Sequence, residues 1–248
     1  MRITGPTLAA LLLIALGGCS RAPQSTSGDS PDATLVGSAP GATTPTRPRA
    51  PVPANAPVVL AFGDSLYAGY RLDPNDSYPA QLEAALNAAG VPARVVNAGV
   101  SGDTTAAARA RLAFTLDNQP VKPVLVLVGL GGNDMLRGLS PEQTRANLEA
   151  IMTAIEARHI AVMLTGMLAA PNLGPDYSLA FNPIWPQLAK AHHAPLVPFF
   201  MASVIGQPAL MLDDHIHPNR DGVAAIVKAT APTVAAALTA AQREHIPG

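Results

Sequence analysis

Cysteine is nearly absent from this sequence of 248 residues, since Cys19 is the only one. With no second cysteine in the sequence, an intramolecular disulfide is excluded. Aromatic residues are also scarce, at 4% of the chain, whereas hydrophobic residues make up 48%. The core must therefore consist mainly of aliphatic side chains. The length suits one domain of ordinary size and is short for two.

Charged residues are few as well. Lys and Arg together number 16 and Asp and Glu 17, which gives a formal net charge of -1, and there is no long basic run. A protein that binds nucleic acid needs clustered Lys and Arg to contact the phosphates. Nucleic acid is therefore excluded as the main partner.

Residues 1–19 are typical of an export signal. Arg2 carries a positive charge, and the apolar run Leu8–Leu16 follows it. The run is too short for a transmembrane helix, which takes about 20 apolar residues. The segment closes with Gly17-Gly18-Cys19, which resembles the lipobox of bacterial lipoproteins, where the cysteine is lipidated. The alternative is an ordinary signal peptide with an accidental cysteine.

A lipid on Cys19 would anchor the protein to the periplasmic face of a bacterial membrane, with the outer membrane favoured. Without that lipid, the protein would be soluble in the periplasm. Residues 20–56 contain seven prolines and no aromatic residue, so they cannot bury enough apolar surface to fold. We expect them to form a flexible tether between the anchor and a folded domain at 57–248.

Short apolar runs alternate with helical patterns across the predicted domain. The runs, nearly continuous as in strands buried on both faces, are Val58–Phe62, Arg94–Asn97, Val124–Val128, Ile160–Thr165 and Pro195–Val197. The helical stretches are Tyr78–Ala89, Thr104–Leu116, Pro141–Arg158, Leu179–His192 and about Asn219–Ala241. This alternation predicts an α/β fold with a parallel sheet and helices on both faces, in which ligands bind at the carboxyl ends of the strands.

Candidate site residues follow three of these strands. Ser65 comes after the first strand in Gly-Asp-Ser-Leu, where its hydroxyl would be exposed but could equally cap a helix. Gly102 follows the second strand, in a segment that also fits a plain turn and helix cap. Asn133 follows three glycines after the third strand and could offer a side-chain N–H donor or belong to a simple turn.

Two aspartates and two histidines lie together at residues 213–217, before the last helix. The spacing between Asp214 and His217 lets the carboxylate bond the ring Nδ1–H, which leaves Nε2 free to accept a proton from a serine. Because Asp213 and His215 lie beside them, a metal site is the competing interpretation.

Taken together, these segments resemble the four motif blocks of SGNH (GDSL) hydrolases, in the same order. GDSLYAGYRL, NAGVSGDTT, GLGGNDMLRG, VPFFMASVIGQPALMLDD and HPNRDG are similar to the bacterial branch that contains acyl-CoA thioesterase I, lysophospholipase L1 and arylesterase. The similarity extends over roughly residues 57–240. One departure is His215, which stands where the family commonly has Gly.

The resemblance implies a flavodoxin-like three-layer sandwich with a five-stranded parallel sheet in the order 2-1-3-4-5. It implies Ser65 as nucleophile, His217 as base and Asp214 as the residue that orients it. It also implies an oxyanion hole made by the N–H groups of Ser65 and Gly102 and the Asn133 side chain. Such a site cleaves small-molecule esters or thioesters through an acyl-enzyme, with no metal or cofactor.

The loops after the third and fourth strands should form the wall of an acyl pocket, because they rim the same sheet edge. The apolar residues expected there are Met135, Leu136, Met167, Leu168, Leu173 and Phe181. Two other functions remain open on the same scaffold. One is a carbohydrate O-deacetylase, and the other is a lipoprotein that binds lipids or glycans without catalysis.

Overall fold

The computed structural model describes residues 52–244. The predicted signal segment, Cys19 and the predicted tether up to residue 51 lie outside the described residues, as do residues 245–248. At the end of the predicted tether, a turn closes with a hydrogen bond from the Ala56 N–H to the Pro53 carbonyl, and Ala56 is buried.

The described chain forms one five-stranded parallel sheet in the order β2-β1-β3-β4-β5, which confirms the predicted flavodoxin-like topology. The strands are β1 (Val58–Gly63), β2 (Arg94–Gly99), β3 (Leu125–Gly129), β4 (Ala161–Thr165) and β5 (Leu196–Val197). All six residues of β1 are buried, because this central strand has a neighbour on each side and helices on both faces.

The helices lie in two layers around the sheet. Their bounds are α1 (Ser65–Ala68), α2 (Tyr78–Ala88), α3 (Thr105–Asp117), α4 (Gly132–Leu136), α5 (Pro141–Glu156), α6 (Pro175–Phe181), α7 (Ile184–Ala191) and α8 (Arg220–Glu244). In one layer α2 packs against α8, and in the other α5 packs against α3 and α7. The helix α5 begins as predicted, with the Ser140 side chain accepting from the Gln143 N–H and Pro141 in the first turn.

One predicted helix is divided in two. The pattern predicts a single helix over Leu179–His192, whereas the structure has α6 and α7 with a break at Asn182 and Pro183. Proline lacks an N–H and clashes with the preceding turn, so the chain ends one helix and starts another there.

Only α8, among the helices of the described region, is long and apolar enough to cross a membrane, with a mean hydropathy of 1.5 over its most apolar stretch. In this domain it is a packed helix. Its Val223, Ile226 and Leu238 side chains are buried, and its Thr230 hydroxyl lies 3.0 Å from that of Tyr78 on α2.

Three neighbouring strands end in glycine at the same level of the sheet. Gly63 is aligned with Gly99 of β2 on one side and with Gly129 of β3 on the other. The helix α1 lies directly on this glycine row. A Cβ at Gly63 or Gly129 would come within 2.7 or 2.5 Å of the Tyr67 ring, and one at Gly99 would collide with the Ala68 backbone. The short helix can therefore sit at the sheet edge only because the three strands carry no side chain there.

Substitution of Gly129 by Ala should destabilise the domain, because the new methyl group has no space beside Tyr67. We expect Gly129→Ala to lower the free energy of unfolding by about 1–3 kcal/mol, a typical cost of overpacking. Denaturant unfolding followed by circular dichroism measures this change.

The matched comparison is the same substitution in a Tyr67→Leu background, where the smaller side chain leaves room. Gly129→Ala should cost clearly less in that background. An equal cost in both backgrounds would show that the strain does not come from the Tyr67 ring.

Candidate active site

Ser65 is the first residue of α1, directly after β1. Asp64 caps this helix, because its Oδ1 accepts the Leu66 N–H at 3.0 Å. The Ser65 backbone N–H therefore belongs to the first turn, where amides have no partner within the helix and point outward. The serine side chain lies at the carboxyl edge of the sheet, where the fold predicts a ligand site.

Ser65, His217 and Asp214 form a continuous chain of hydrogen bonds. His217 Nε2 lies 2.8 Å from Ser65 Oγ, and His217 Nδ1 lies 2.8 Å from Asp214 Oδ2. The structure thus brings together the three residues that the motif resemblance implies as a triad. This order of serine, imidazole and carboxylate is the arrangement of a serine hydrolase triad.

The Asp214 carboxylate is held as an anion. Its Oδ1 accepts the backbone N–H groups of Ile216 at 2.9 Å and His217 at 3.0 Å. Desolvation opposes its ionisation, but these two N–H groups and the His217 ring outweigh that effect and lower the pKa of Asp214 to about 2. Asp214 is therefore charged at any pH at which the imidazole could accept a proton.

The loop that carries these two residues is closed at its base. The Leu212 N–H donates to the His217 carbonyl at 2.8 Å, and Met211 pairs with Pro218 in an antiparallel bridge. The Asn219 side chain donates to the Ala209 carbonyl at 2.8 Å. These bonds fix the loop against the start of α8, so that the imidazole has a defined position relative to α1.

Gly102 lies on the loop that follows β2, and Asn133 lies in the short helix α4 that follows β3. Gly102 adopts a φ of 87°, in the left-handed region that favours glycine. Asn133 lies in the first turn of α4, and its Nδ2 donates to the Asp103 carbonyl at 3.0 Å. That bond uses one of the two amide hydrogens and leaves the other available for a ligand.

Arg111 on α3 connects the loop after β2 to the end of β1. Its Nε donates to Asp103 Oδ2 at 2.6 Å, and its Nη2 donates to the Gly63 carbonyl at 3.0 Å. The guanidinium carbon also lies 4.2 Å from the centroid of the Phe62 ring. The loop with Gly102 and the strand that leads to Ser65 are therefore held by one side chain.

An apolar cleft of about 470 Å³ opens beside Ser65 and His217. Its wall contains four of the six residues predicted for an acyl pocket, namely Met135, Leu136, Met167 and Leu168. Its other apolar side chains include Phe199, Met201 and Ile205. The sequence interpretation missed these three, although they follow β5 and the same rule about strand ends applies to them.

The other two predicted pocket residues lie elsewhere. Phe181 is fully buried, with its ring centroid 4.9 Å from that of Trp185 and 5.3 Å from that of Tyr177. Leu173 is half-buried in a 3-10 turn and packs against the core. Both side chains contribute to the packing beneath the loop after β4 rather than to the cleft wall.

The alternative of a metal site at residues 213–217 finds no ligand set in the structure. Within residues 52–244, no three His, Cys, Asp or Glu side chains are grouped to hold an ion. Asp213 instead binds Arg71 at 2.6 Å, and both ring nitrogens of His217 already have partners. The side-chain geometry of the cluster is that of a triad.

His215, the departure from the family pattern, is exposed and adopts a φ of 56°. The left-handed conformation at this position explains why glycine suits it, since a side chain there is strained. His215 also lines the cleft next to Ile216. It therefore adds a second imidazole to the part of the wall that carries His217.

Asp64 is a buried carboxyl beside the nucleophile, with 2% exposure, and it lines the cleft. Burial raises the pKa of Asp64 from 3.8 to about 7, in spite of the Leu66 N–H, and the nearby carboxylates of Asp103 and Asp134 raise it further. The sequence interpretation treated this residue only as part of a motif. Its burial could not be read from the local sequence.

The chain is similar to one protein family and to several esterases. Residues 61–225 match the model of the GDSL-like lipase/acylhydrolase family. The thioesterase 1/protease 1/lysophospholipase L1 of Escherichia coli (strain K12) is 43% identical over 168 residues, which are 68% of this chain and 78% of that protein. Esterase TesA of Pseudomonas aeruginosa is 41% identical over 165 residues, which are 66% and 81% of the two chains. The solved structure of AlinE4, an SGNH-hydrolase family esterase, matches with a TM-score of 0.63 at 53% identity and covers 73% of this chain and 96% of its own.

The pKa of Asp64 predicts a stability that depends on pH. The folded carboxyl keeps its proton up to about pH 7, whereas the unfolded one loses it near 3.8, so this group lowers the free energy of unfolding as pH rises between these values. Asp64→Asn should remove this decrease in the free energy of unfolding at higher pH. We expect the variant to gain up to about 4 kcal/mol over the wild type between pH 4 and pH 8.

Urea unfolding at both pH values measures the gain. Asp176→Asn, at an exposed carboxylate, is the matched control and should show no comparable gain with pH. If the Asp64→Asn variant differs from the wild type by the same amount at both pH values, Asp64 is ionised in the folded protein and the inference from its burial is wrong.

Proposed function

Since the chain belongs to the GDSL-like lipase/acylhydrolase family, we propose that it cleaves carboxylic esters and thioesters with Ser65, His217 and Asp214 as a catalytic triad. This is the family that the sequence motifs of the chain resemble. The relatives are named as thioesterase and esterase, and the chain is accordingly an ester or thioester hydrolase. The proposal concerns the residues that carry out the reaction and the substrates that fit.

One observation carries the proposal. Two hydrogen bonds of 2.8 Å join Ser65 Oγ to His217 Nε2 and His217 Nδ1 to Asp214 Oδ2, and this chain of groups opens into an apolar cleft. A serine hydroxyl has little nucleophilicity by itself, and an adjacent base that is oriented by a carboxylate activates it. Both contacts are those that a serine nucleophile, its base and an orienting carboxylate need.

Acylation begins when His217 Nε2 takes the proton of the Ser65 hydroxyl as Oγ bonds to the acyl carbon. The imidazole becomes an imidazolium, and the anionic Asp214 stabilises its charge through Nδ1–H. The tetrahedral intermediate then collapses. The bond from the acyl carbon to the leaving oxygen or sulfur breaks, and the imidazolium returns its proton to that atom, so an alcohol or thiol departs.

The negative oxygen of the intermediate needs hydrogen-bond donors. The N–H groups of Ser65 and Gly102 and the second amide hydrogen of Asn133 are the donors that we propose. They come from the loops after β1, β2 and β3, which meet at one edge of the sheet. The bond from Asn133 to the Asp103 carbonyl keeps the amide oriented before substrate arrives.

Deacylation repeats the sequence with water as the nucleophile. His217 takes a proton from the water as its oxygen bonds to the acyl carbon, and the same donors bind the oxyanion. The bond to Ser65 Oγ then breaks, the serine recovers its proton from the imidazolium, and the carboxylic acid is released. Every proton is returned, so the cycle balances without a cofactor.

The cleft favours substrates with an apolar acyl group. Its wall carries Met135, Met167 and Met201, whose flexible thioether side chains adapt to chains of different shape. A volume of about 470 Å³ accommodates an acyl group of moderate size. Aryl esters, acyl thioesters and lysophospholipids all present such a group, in line with the activities for which the relatives are named.

Removal of the nucleophile tests the proposal. Ser65→Ala should lower kcat on a p-nitrophenyl ester by about 10⁴ or more and leave the fold intact, because no other group in the site replaces the hydroxyl. An organophosphate should add its mass to the wild type but not to the variant. Intact-protein mass spectrometry detects this label.

Ser178→Ala, which removes a hydroxyl on α6 that bonds the Gly174 carbonyl, is the matched control and should retain full activity and labelling. A Ser65→Ala protein that keeps more than about a tenth of wild-type turnover, or is still labelled, would show that Ser65 only caps a helix.

We also propose that Cys19 carries a lipid that anchors the protein to the periplasmic face of a bacterial membrane. The lipobox resemblance and the Pro-rich segment at 20–56 support this location. A lipid at Cys19 would keep the catalytic domain close to the membrane, where it would act on substrates at or near the surface.

Cys19→Ala should move the full-length protein, expressed in a bacterial host, from the detergent phase to the aqueous phase in a Triton X-114 partition. Turnover of a water-soluble ester should not change, because the tether separates the anchor from the site. Metabolic labelling with a palmitate analogue should mark the wild type alone. If the wild type partitions into the aqueous phase without label, Cys19 is not lipidated.

A further inference from the structure

An aromatic ring lies against the imidazole of His217. The centroid of the Tyr70 ring is 4.3 Å from that of the His217 ring, and the two planes are inclined by 34°. Tyr70 is 39% exposed, and it lies outside the wall of the apolar cleft. Its contact is therefore with the base itself and not with the surface that faces the acyl group.

The backbone after α1 brings Tyr70 to this position. The N–H groups of Gly69 and Tyr70 both donate to the Ser65 carbonyl at 3.2 Å, and Gly69 ends the helix with a φ of 81°. The backbone carbonyl of the nucleophile Ser65 thus holds the turn that places the Tyr70 ring against the imidazole of His217. Immediately afterwards, Arg71 Nη1 binds Asp213 Oδ1 at 2.6 Å, which attaches the same turn to the catalytic loop a second time.

The charge of His217 changes during the reaction. The ring is neutral when it accepts the serine proton and positive beside both tetrahedral intermediates of the cycle and in the transition states that lead to them. Asp214 faces its Nδ1 edge and Ser65 its Nε2 edge, whereas Tyr70 covers a face. The face of a tyrosine ring is negative, so it attracts a cation within about 6 Å of its centroid.

The other charged or titratable groups near the base do not supply this interaction. Asp213 is exposed and is paired with Arg71 at 2.6 Å. His215 is exposed and lines the cleft, and Asp64 is buried below the serine. In the part of the chain that the structure describes, the Tyr70 hydroxyl has no hydrogen-bond partner, so the ring and not the hydroxyl is the group in contact.

We propose that Tyr70 is a positioning residue that holds the His217 ring and stabilises its imidazolium form through the face of the tyrosine ring. The proposal rests on the proposed function, because it assigns Tyr70 a role through the base of that triad. The stabilisation is present only while His217 is charged. It therefore lowers the barrier to reaction without strengthening the binding of the substrate.

The test compares Tyr70→Leu, which removes the ring, with Tyr70→Phe, which keeps it. In Tyr70→Leu, kcat for a water-soluble ester should fall about threefold to tenfold with KM nearly unchanged. The acid limb of the profile of kcat/KM against pH should move to lower pH by about 0.3–0.7 unit, because the imidazolium has lost a stabilising contact. Tyr70→Phe should restore both quantities to the wild-type values.

Phe114→Leu removes an exposed ring on α3, outside the catalytic segments, and is the matched control, which should change neither quantity. The proposal is overturned if Tyr70→Leu raises KM at constant kcat, which would make Tyr70 a substrate contact. It is also overturned if the acid limb does not move, or if Tyr70→Phe is as impaired as Tyr70→Leu. A failure of the proposed function is distinguishable, since Ser65→Ala would then remain active whatever the Tyr70 variants do.

Discussion

The position of the nucleophile depends on the absence of three Cβ atoms. Gly99, Gly63 and Gly129 end three adjacent strands at one level, and α1 lies on the flat edge that they leave. Tyr67 fills the space above Gly63 and Gly129, and its hydroxyl lies 2.8 Å from Thr165 Oγ1 at the end of β4. The helix that carries the serine is thereby packed against four strands, which is why a helix of four residues keeps a defined position.

Around that helix, separate polar contacts hold each group of the site. Arg111 joins the loop of Gly102 to the end of β1, and Asn133 is oriented by the carbonyl of Asp103. The base loop is closed by its own backbone bonds and by Asn219. Each segment that carries a group of the site is therefore tied to a strand end or to a helix, which holds the reacting groups in place.

Periodicity and motif order predict most of the fold and the centre of the site. The five strands are confirmed to within two residues at each end, because buried parallel strands are continuous apolar runs. Asp214 and His217 could be paired from spacing alone, since the contact is local. The contact of Tyr70 with His217 could not, because it depends on how the turn after α1 meets a loop far along the chain. The place of Phe181 after β4 suggests the pocket, but Tyr177, Phe181 and Trp185 recur at helical spacing, as core residues do, and their rings pack together.

The separation of Ser65 and His217 along the chain has a consequence for biosynthesis. The serine and its helix belong to the first crossover of the sheet, whereas the base lies in the last loop before α8. A nascent chain therefore has a serine without its base until the loop of His217 has been synthesised and α8 has docked. Under the export that we propose, the precursor would be inert on the ribosome and during translocation. Ester hydrolysis would begin only after the whole domain has folded on the far side of the membrane.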